Sequence, residues 1–191
     1  VRIEFADATT WVGRLTPQVP QLTIPEHQRG GTMALTYLAL GVEHILLGID
    51  HLLFVLALLL ITGGTRRLVL TITAFTVAHS MTLALATLGF VHVPQSPVEA
   101  TIALSIVFVA AEFVHARRGV AGLTERAPWI IAFTFGLLHG FGFAGALAEI
   151  GLPERQIPLA LLFFNIGVEA GQLLFIAGVL TVVAMARRVR V

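Results

Sequence analysis

Residues 41–60 read GVEHILLGIDHLLFVLALLL, an apolar run of membrane-spanning length that holds two carboxylates and two histidines. The chain as a whole is also strongly apolar: of 191 residues, 57% are hydrophobic and 12% are charged, and the mean hydropathy is +0.90. An ordinary soluble domain has about 25% charged residues. The composition therefore excludes a soluble globule and a disordered chain, and it predicts an integral membrane protein.

Apolar stretches of about 20 residues, the length that a bilayer requires, recur along the chain. Five of them span residues 33–61, 68–90, 98–115, 128–149 and 158–185. We therefore expect an all-α fold, a polytopic transmembrane helix bundle of about five helices joined by short loops. Residues 1–31 are expected to form a short extracytoplasmic segment that opens with a strand and is interrupted by prolines. Residues 32–191 are expected to form the transmembrane helical domain.

The arginines predict the orientation of the helices. They follow the first, third and fifth apolar stretches, at Arg66, Arg67, Arg117, Arg118, Arg187 and Arg188. We expect a multi-pass protein of the inner (plasma) membrane. Positive residues favour the cytoplasmic side of that membrane, and this sets the orientation. The N-terminus would lie outside and the C-terminus in the cytoplasm. The start at Val1 is interpreted as that of a processed or truncated product.

Two further features of the composition narrow the function. The chain has no cysteine, which excludes disulfides, thiolate zinc sites and a thiol nucleophile. Its formal net charge of +1 gives no field that would attract a polyanion, so nucleic acid is not expected as a partner.

Ionisable side chains inside the apolar helices carry the functional signal, because a charge at a helix centre costs about 2.5–3.5 kcal/mol. In the first helix, Glu43 and Asp50 are seven residues apart, and so are His44 and His51. Seven residues of regular helix rise about 10.5 Å, which is too far for the two histidines to share an ion. Either Gly48 marks a distortion, or each histidine joins ligands from other helices.

Three other helices bring polar groups to a similar depth: His79 in the second, His139 in the fourth and Glu169 in the fifth. A lone buried histidine, or the glycines around His139, would also fit plain helix packing. In the fifth helix, Asn165, Glu169 and Gln172 share one face. Asn165 and Gln172 could orient the carboxylate of Glu169 or supply oxygen ligands. Alternatively, the three residues could form a structural polar seam.

Imidazole together with carboxylate suits nickel, cobalt, zinc, copper or iron, and the missing thiols argue against a Cu(I) thiolate site. We predict one polar cavity near mid-membrane whose metal ligands are drawn from His44, Asp50, His51, His79, His139 and Glu169. The residues expected beside it or along the pathway are Glu43, Ser80, Glu99, Asn165 and Gln172.

Five segments resemble the HupE/UreJ family of membrane proteins, particularly its second subgroup, over about residues 35–180. They are GVEHILLGIDHLLFVLALLL, TITAFTVAHSMTLALATLG, PVEATIALSIVFVAAE, FGLLHGFGFAGAL and FNIGVEAGQL. The resemblance implies a secondary permease of nickel or cobalt, associated with hydrogenase and urease maturation. It implies metal recognition by His44, Asp50 and His51, and it points to His79 through FTVAHS. Better-known members open the first motif with a His-Pro pair and carry another helix, whereas this chain has Glu43 before His44.

The leading hypothesis is therefore a permease rather than an enzyme, with a divalent transition metal ion as its bound substrate and lipid as its surroundings. An intramembrane metal-dependent hydrolase with Glu43 or Glu169 as general base is the runner-up, although no HExxH motif is present. A b-type haem carrier with paired histidines and a non-transporting subunit of a larger membrane complex stay open. A homo-oligomer is open as well.

The orientation can be tested by cysteine scanning, because the chain has no native cysteine. A single Gln95→Cys substitution lies between the second and third apolar stretches, which is the outer side in the expected topology. We expect a membrane-impermeant thiol reagent to label it from outside. Labelling from the cytoplasmic side only would contradict this orientation.

Overall fold

The structure, a computed structural model, describes residues 2–4, 10–12, 30–120, 122–149 and 157–189. Within these residues the chain is helical apart from one antiparallel pair of short strands, β1 (Arg2–Glu4) and β2 (Thr10–Val12). The helices are α1 (Gly30–Leu47), α2 (Ile49–Ile61), α3 (Thr65–Thr87), α4 (Gln95–Arg117), α5 (Leu123–Arg126), α6 (Pro128–Glu149) and α7 (Ile157–Val189). The expected all-α class is confirmed, and the short α5 is an element that the apolar pattern did not indicate.

The apolar stretch over residues 33–61 forms two helices rather than one, because α1 and α2 meet at Gly48 with a bend of 74°. Gly48 is in an extended conformation, with φ −79° and ψ 95°. A Cβ atom at this position would lie 2.8 Å from the carbonyl oxygen of His44 and 2.8 Å from Nδ1 of His51. The absence of a side chain therefore permits the break and the close approach of the two flanking histidines.

Three helices, α3, α4 and α7, are long and apolar enough to cross a membrane, and the bent α1–α2 pair would make a fourth, as judged from the described residues. The described apolar part of α6, Pro128–Phe143, is shorter. Large apolar side chains such as Leu47, Leu104 and Val182 are exposed, as on helices that face lipid. The protein is a multi-pass membrane protein, and the count of five spans stays a prediction.

Glycines allow the helices to approach closely in two pairs, α1 with α7 and α3 with α6. A Cβ atom on Gly41 of α1 would lie 2.9 Å from the backbone nitrogen of Val168 and 3.0 Å from Cα of Gly167, both on α7. A Cβ atom on Gly136 of α6 would lie 2.5 Å from the carbonyl oxygen of Phe75 on α3. These are contacts between backbones, typical of small residues at membrane helix interfaces.

Buried apolar side chains form two clusters. The first apolar cluster joins α2, α3, α4, α6 and α7 and includes Phe54, Leu58, Ile72, Phe75 and Val109. The second apolar cluster joins α1, α3 and α7 and includes Tyr37, Ile45, Leu83, Phe164 and Val168, with Phe143 of α6 packed against it. The histidines His44, His51, His79 and His139 lie between the two clusters.

The close α1–α7 contact predicts a position-dependent effect of adding one methyl group. Gly41→Ala should lower the free energy of unfolding by about 1–3 kcal/mol, because the added Cβ would collide with the α7 backbone. Gly178→Ala, on α7, is the matched control, since a Cβ there meets nothing within 4 Å. Unfolding in mixed detergent micelles measures both, and equal effects of the two substitutions would contradict the described packing.

Candidate functional site

Four histidine rings from four helices lie together in the interior: His44 of α1, His51 of α2, His79 of α3 and His139 of α6, called here the imidazole cluster. His51 is central, with its ring centroid 4.6 Å from that of His44, 5.2 Å from that of His139 and 6.3 Å from that of His79. The centroids of His44 and His79 are 6.2 Å apart. The structure thus brings together all four histidines that the sequence singled out.

The bend at Gly48 accounts for the closest pair of rings. A regular helix would separate residues seven positions apart by about 10.5 Å along its axis. The break turns α2 against α1, so that the rings of His44 and His51 meet edge to face with an interplanar angle of 64°. The distortion that the sequence offered as one alternative is therefore present at Gly48, and the rings of His79 and His139 from other helices lie near the pair.

Phenylalanine rings enclose the imidazole cluster on two sides. Phe75, from the first apolar cluster, is 5.2 Å from the ring of His139. Phe143 and Phe164, from the second, are 4.1 Å and 5.5 Å from the ring of His44. The imidazole cluster thus links the two apolar clusters, in surroundings where an unpaired polar atom is costly.

Five buried ring nitrogens of the imidazole cluster have no hydrogen-bond partner among the described residues. They are Nε2 of His44, Nε2 of His51, both nitrogens of His79 and Nδ1 of His139. Each unpaired buried polar atom costs about 1–3 kcal/mol. Their concentration at one point favours a ligand that several imidazoles can share.

One nitrogen of the cluster is paired, and its partner is a serine on α4. Nε2 of His139 lies 3.1 Å from Oγ of Ser105, which is fully buried. The same hydroxyl donates a hydrogen bond to the main-chain oxygen of Ile102 at 2.6 Å. The side chain of His139 is thereby tied to α4.

The carboxylates occupy different surroundings from the rings. Asp50 is exposed and lies in the first turn of α2, directly before His51. Glu169 of α7 is half-buried, and its Oε1 accepts a hydrogen bond from the hydroxyl of Thr73 at 2.6 Å. Glu43 and Glu99 are both exposed.

A polar seam joins α3 to α7. Besides the Thr73–Glu169 bond, the hydroxyl of Thr76 donates to Oε1 of Gln172 at 3.0 Å, and Gln172 is fully buried. Asn165, also buried, donates from Nδ2 to the main-chain oxygen of Leu161 at 2.8 Å. This face of α7 therefore forms interhelical hydrogen bonds at Glu169 and Gln172, whereas Asn165 bonds within its own helix.

The remaining candidates have structural or peripheral positions. Ser80 donates to the main-chain oxygen of Thr76 at 2.6 Å. Glu112 of α4 accepts a hydrogen bond at 2.9 Å from the backbone N–H of Thr124 and so holds the start of α5. His92 and His115 are exposed. His27 lies outside the described residues.

The rings are close to one another but do not form a closed ligand set. Among the described side chains, no group of three or more histidine, aspartate or glutamate residues is arranged to hold a metal ion. Binding of an ion by the imidazole cluster would therefore require the rings to turn towards a common point. Rotation about histidine χ2 is soft, since that torsion has a broad preference.

The comparison with protein families gives one match that covers nearly the whole chain. A family model described as HupE / UreJ protein matches residues 20–191. The chain belongs to the HupE/UreJ family. HupE/UreJ proteins are associated with nickel and cobalt transport, and the match spans every helix that contributes to the imidazole cluster. Comparison with curated proteins and with solved structures gave no match.

Sequence reasoning missed Ser105 as a neighbour of this HupE/UreJ protein's imidazole cluster. The available signal was its place on the buried face of α4, in register with Val98, Ile102 and Val109. That spacing marks a packed face but does not identify a histidine partner. Only the packing of α4 against α6 shows which ring the hydroxyl meets.

The bend at Gly48 predicts that a methyl group there disturbs the rings. Gly48→Ala would place Cβ 2.8 Å from Nδ1 of His51, so this ring must move. We expect the ¹⁵N resonances of the His51 ring to shift in the metal-free protein. Gly63→Ala, where a Cβ meets nothing within 4 Å, should leave them unchanged. Identical histidine spectra for wild type and Gly48→Ala would refute the described contact.

Proposed function

We propose that this HupE/UreJ protein is a secondary permease of a divalent transition metal ion, with nickel or cobalt as the transported substrate. The observation that carries the proposal is the imidazole cluster, in which four helices contribute rings and five buried nitrogens lack partners among the described residues. Ionisable residues that face the interior of a membrane helix bundle commonly mark an ion pathway.

The donor atoms favour a borderline metal ion over a hard one. Neutral imidazole nitrogen is a good ligand for nickel, cobalt, zinc, copper and iron, whereas calcium and magnesium prefer oxygen. The four rings supply nitrogen, and the chain has no thiolate to offer. Among the compatible ions, the association of the family with nickel and cobalt supports these two as substrates.

The exposed carboxylate of Asp50, next to His51, also supports the proposal. It lies in the first turn of α2, where the helix dipole stabilises a carboxylate. In the proposed mechanism it attracts the cation and passes it to the adjacent His51, while offsetting part of its charge. Glu169 is proposed as a neighbour rather than a ligand, because its Oε1 is engaged by Thr73.

The broken span supports transport rather than catalysis. Many secondary transporters bind their substrates at discontinuous helices near the bilayer midplane. The α1–α2 pair is such a helix, with His44 before the break and His51 after it. We further propose that the N-terminus lies outside the inner membrane and the C-terminus in the cytoplasm, because the arginines favour this orientation.

Uptake of nickel and cobalt into proteoliposomes tests the proposal. His51→Ala should reduce uptake by at least about tenfold, because it removes the central ring. Asp50→Asn should reduce it less, since it preserves size and removes only the charge. His115→Ala is the matched control, because His115 is exposed on the last turn of α4.

All variants are compared at equal protein content, with metal content measured alongside uptake. If His51→Ala and Asp50→Asn both bind and carry nickel, cobalt and zinc like wild type, the permease proposal is refuted. The first helix would then be a structural polar seam. A membrane-complex subunit or an intramembrane hydrolase would be the remaining hypotheses.

A further inference from the structure

The hydroxyl of Ser105 lies near two possible hydrogen-bond acceptors, and it can donate to only one of them. Its Oγ is 2.6 Å from the main-chain oxygen of Ile102 and 3.1 Å from Nε2 of His139. A serine hydroxyl has a single proton. A carbonyl oxygen has none, so an oxygen–oxygen separation of 2.6 Å requires the serine proton to lie between Ser105 and Ile102.

This assignment fixes the proton of the histidine. Because the Ser105 proton is already used, Oγ can only accept a hydrogen bond from His139, and Nε2 must carry the N–H. A neutral imidazole has one ring N–H, so Nδ1 keeps its lone pair. That Nδ1 is buried and has no hydrogen-bond partner among the described residues.

We propose that Ser105 is a positioning residue that holds His139 in its Nε2–H form and thereby selects Nδ1 as the atom that this ring offers to the transported ion. The identity of the ligand rests on the proposed function. The position of the proton does not, because it is a property of the metal-free protein. A hydrogen bond to the nitrogen that does not bind metal fixes both the proton position and the orientation of a ligating ring.

His139 and His79 differ in this respect. His79 is fully buried, yet both of its ring nitrogens lack a partner among the described residues. Within the described part of the chain, its ring is therefore held by packing, including the stacked contact with Phe75 at a centroid distance of 6.0 Å. His139 would therefore be a ligand whose ring is already oriented by a hydrogen bond. The proton position of the His79 ring would be determined only when the ion binds.

The first measurement is the proton position of His139 in the metal-free wild type. The protein is labelled with ¹⁵N-histidine and reconstituted in lipid, and its signals are assigned by their loss in His139→Gln. We expect a protonated Nε2 and a bare Nδ1. A protonated Nδ1 would overturn the proposal, whether or not the protein transports metal.

The second measurement compares three variants. Ser105→Ala should leave His139 as a mixture of the two proton positions, and Ser105→Thr should retain the Nε2–H form because it keeps the hydroxyl. Thr101→Val is the matched control: Thr101 also donates to the carbonyl three residues earlier on α4, at 2.8 Å, and no described hydrogen bond joins it to the imidazole cluster. An unchanged proton position in Ser105→Ala would contradict the proposal.

Nickel or cobalt affinity then separates the positioning role from the proposed function. We expect Ser105→Ala to bind about tenfold more weakly than wild type, with affinity restored in Ser105→Thr and unchanged in Thr101→Val. Equal affinities for Ser105→Ala and wild type would overturn the selection of Nδ1 as ligand. If wild type binds neither metal, the proposed function fails, whereas the proton position of His139 is still decided by the spectra.

Discussion

Burial of imidazole nitrogens among phenylalanine rings is the constraint on which the site depends. Water would satisfy these nitrogens at a surface, but His79 and His139 are 0% and 1% exposed. An apolar enclosure makes every missing hydrogen bond costly. Four rings at one point in a membrane domain therefore carry a free-energy cost of unpaired nitrogens, and a ligand shared by the rings would offset it.

The glycines make the convergence geometrically feasible. Gly41 and Gly136 let the backbones touch in the α1–α7 and α3–α6 pairs. This close packing brings His44 and His139 near the other two rings of the imidazole cluster. Gly48 serves the opposite purpose, because it ends one helix and starts the next at an angle. Close packing at Gly41 and Gly136 and a local break at Gly48 are therefore both achieved by the smallest residue.

The sequence predicted the fold class and the four histidines because both follow from solvation. An ionisable side chain in an apolar helix has few explanations other than function or hydrogen bonding, so His79 and His139 could be identified without a structure. The bend at Gly48 could be given only as one of two alternatives, because a glycine permits a break without requiring it. The Thr73–Glu169 bond was beyond reach, since helical periodicity assigns a residue to a face but not to a partner on another helix. Ser105 resembles Ser80, which also bonds to its own helix, until the packing of α4 on α6 is known.

The atoms that coordinate a bound ion decide whether the imidazole cluster is a metal site. X-ray absorption of untagged, nickel-loaded protein in lipid distinguishes imidazole from carboxylate and water, because a ring gives characteristic multiple scattering. The account predicts several imidazole ligands in wild type and one fewer in His51→Ala. A nickel ion coordinated by oxygen alone, with the same spectrum in both proteins, would contradict it.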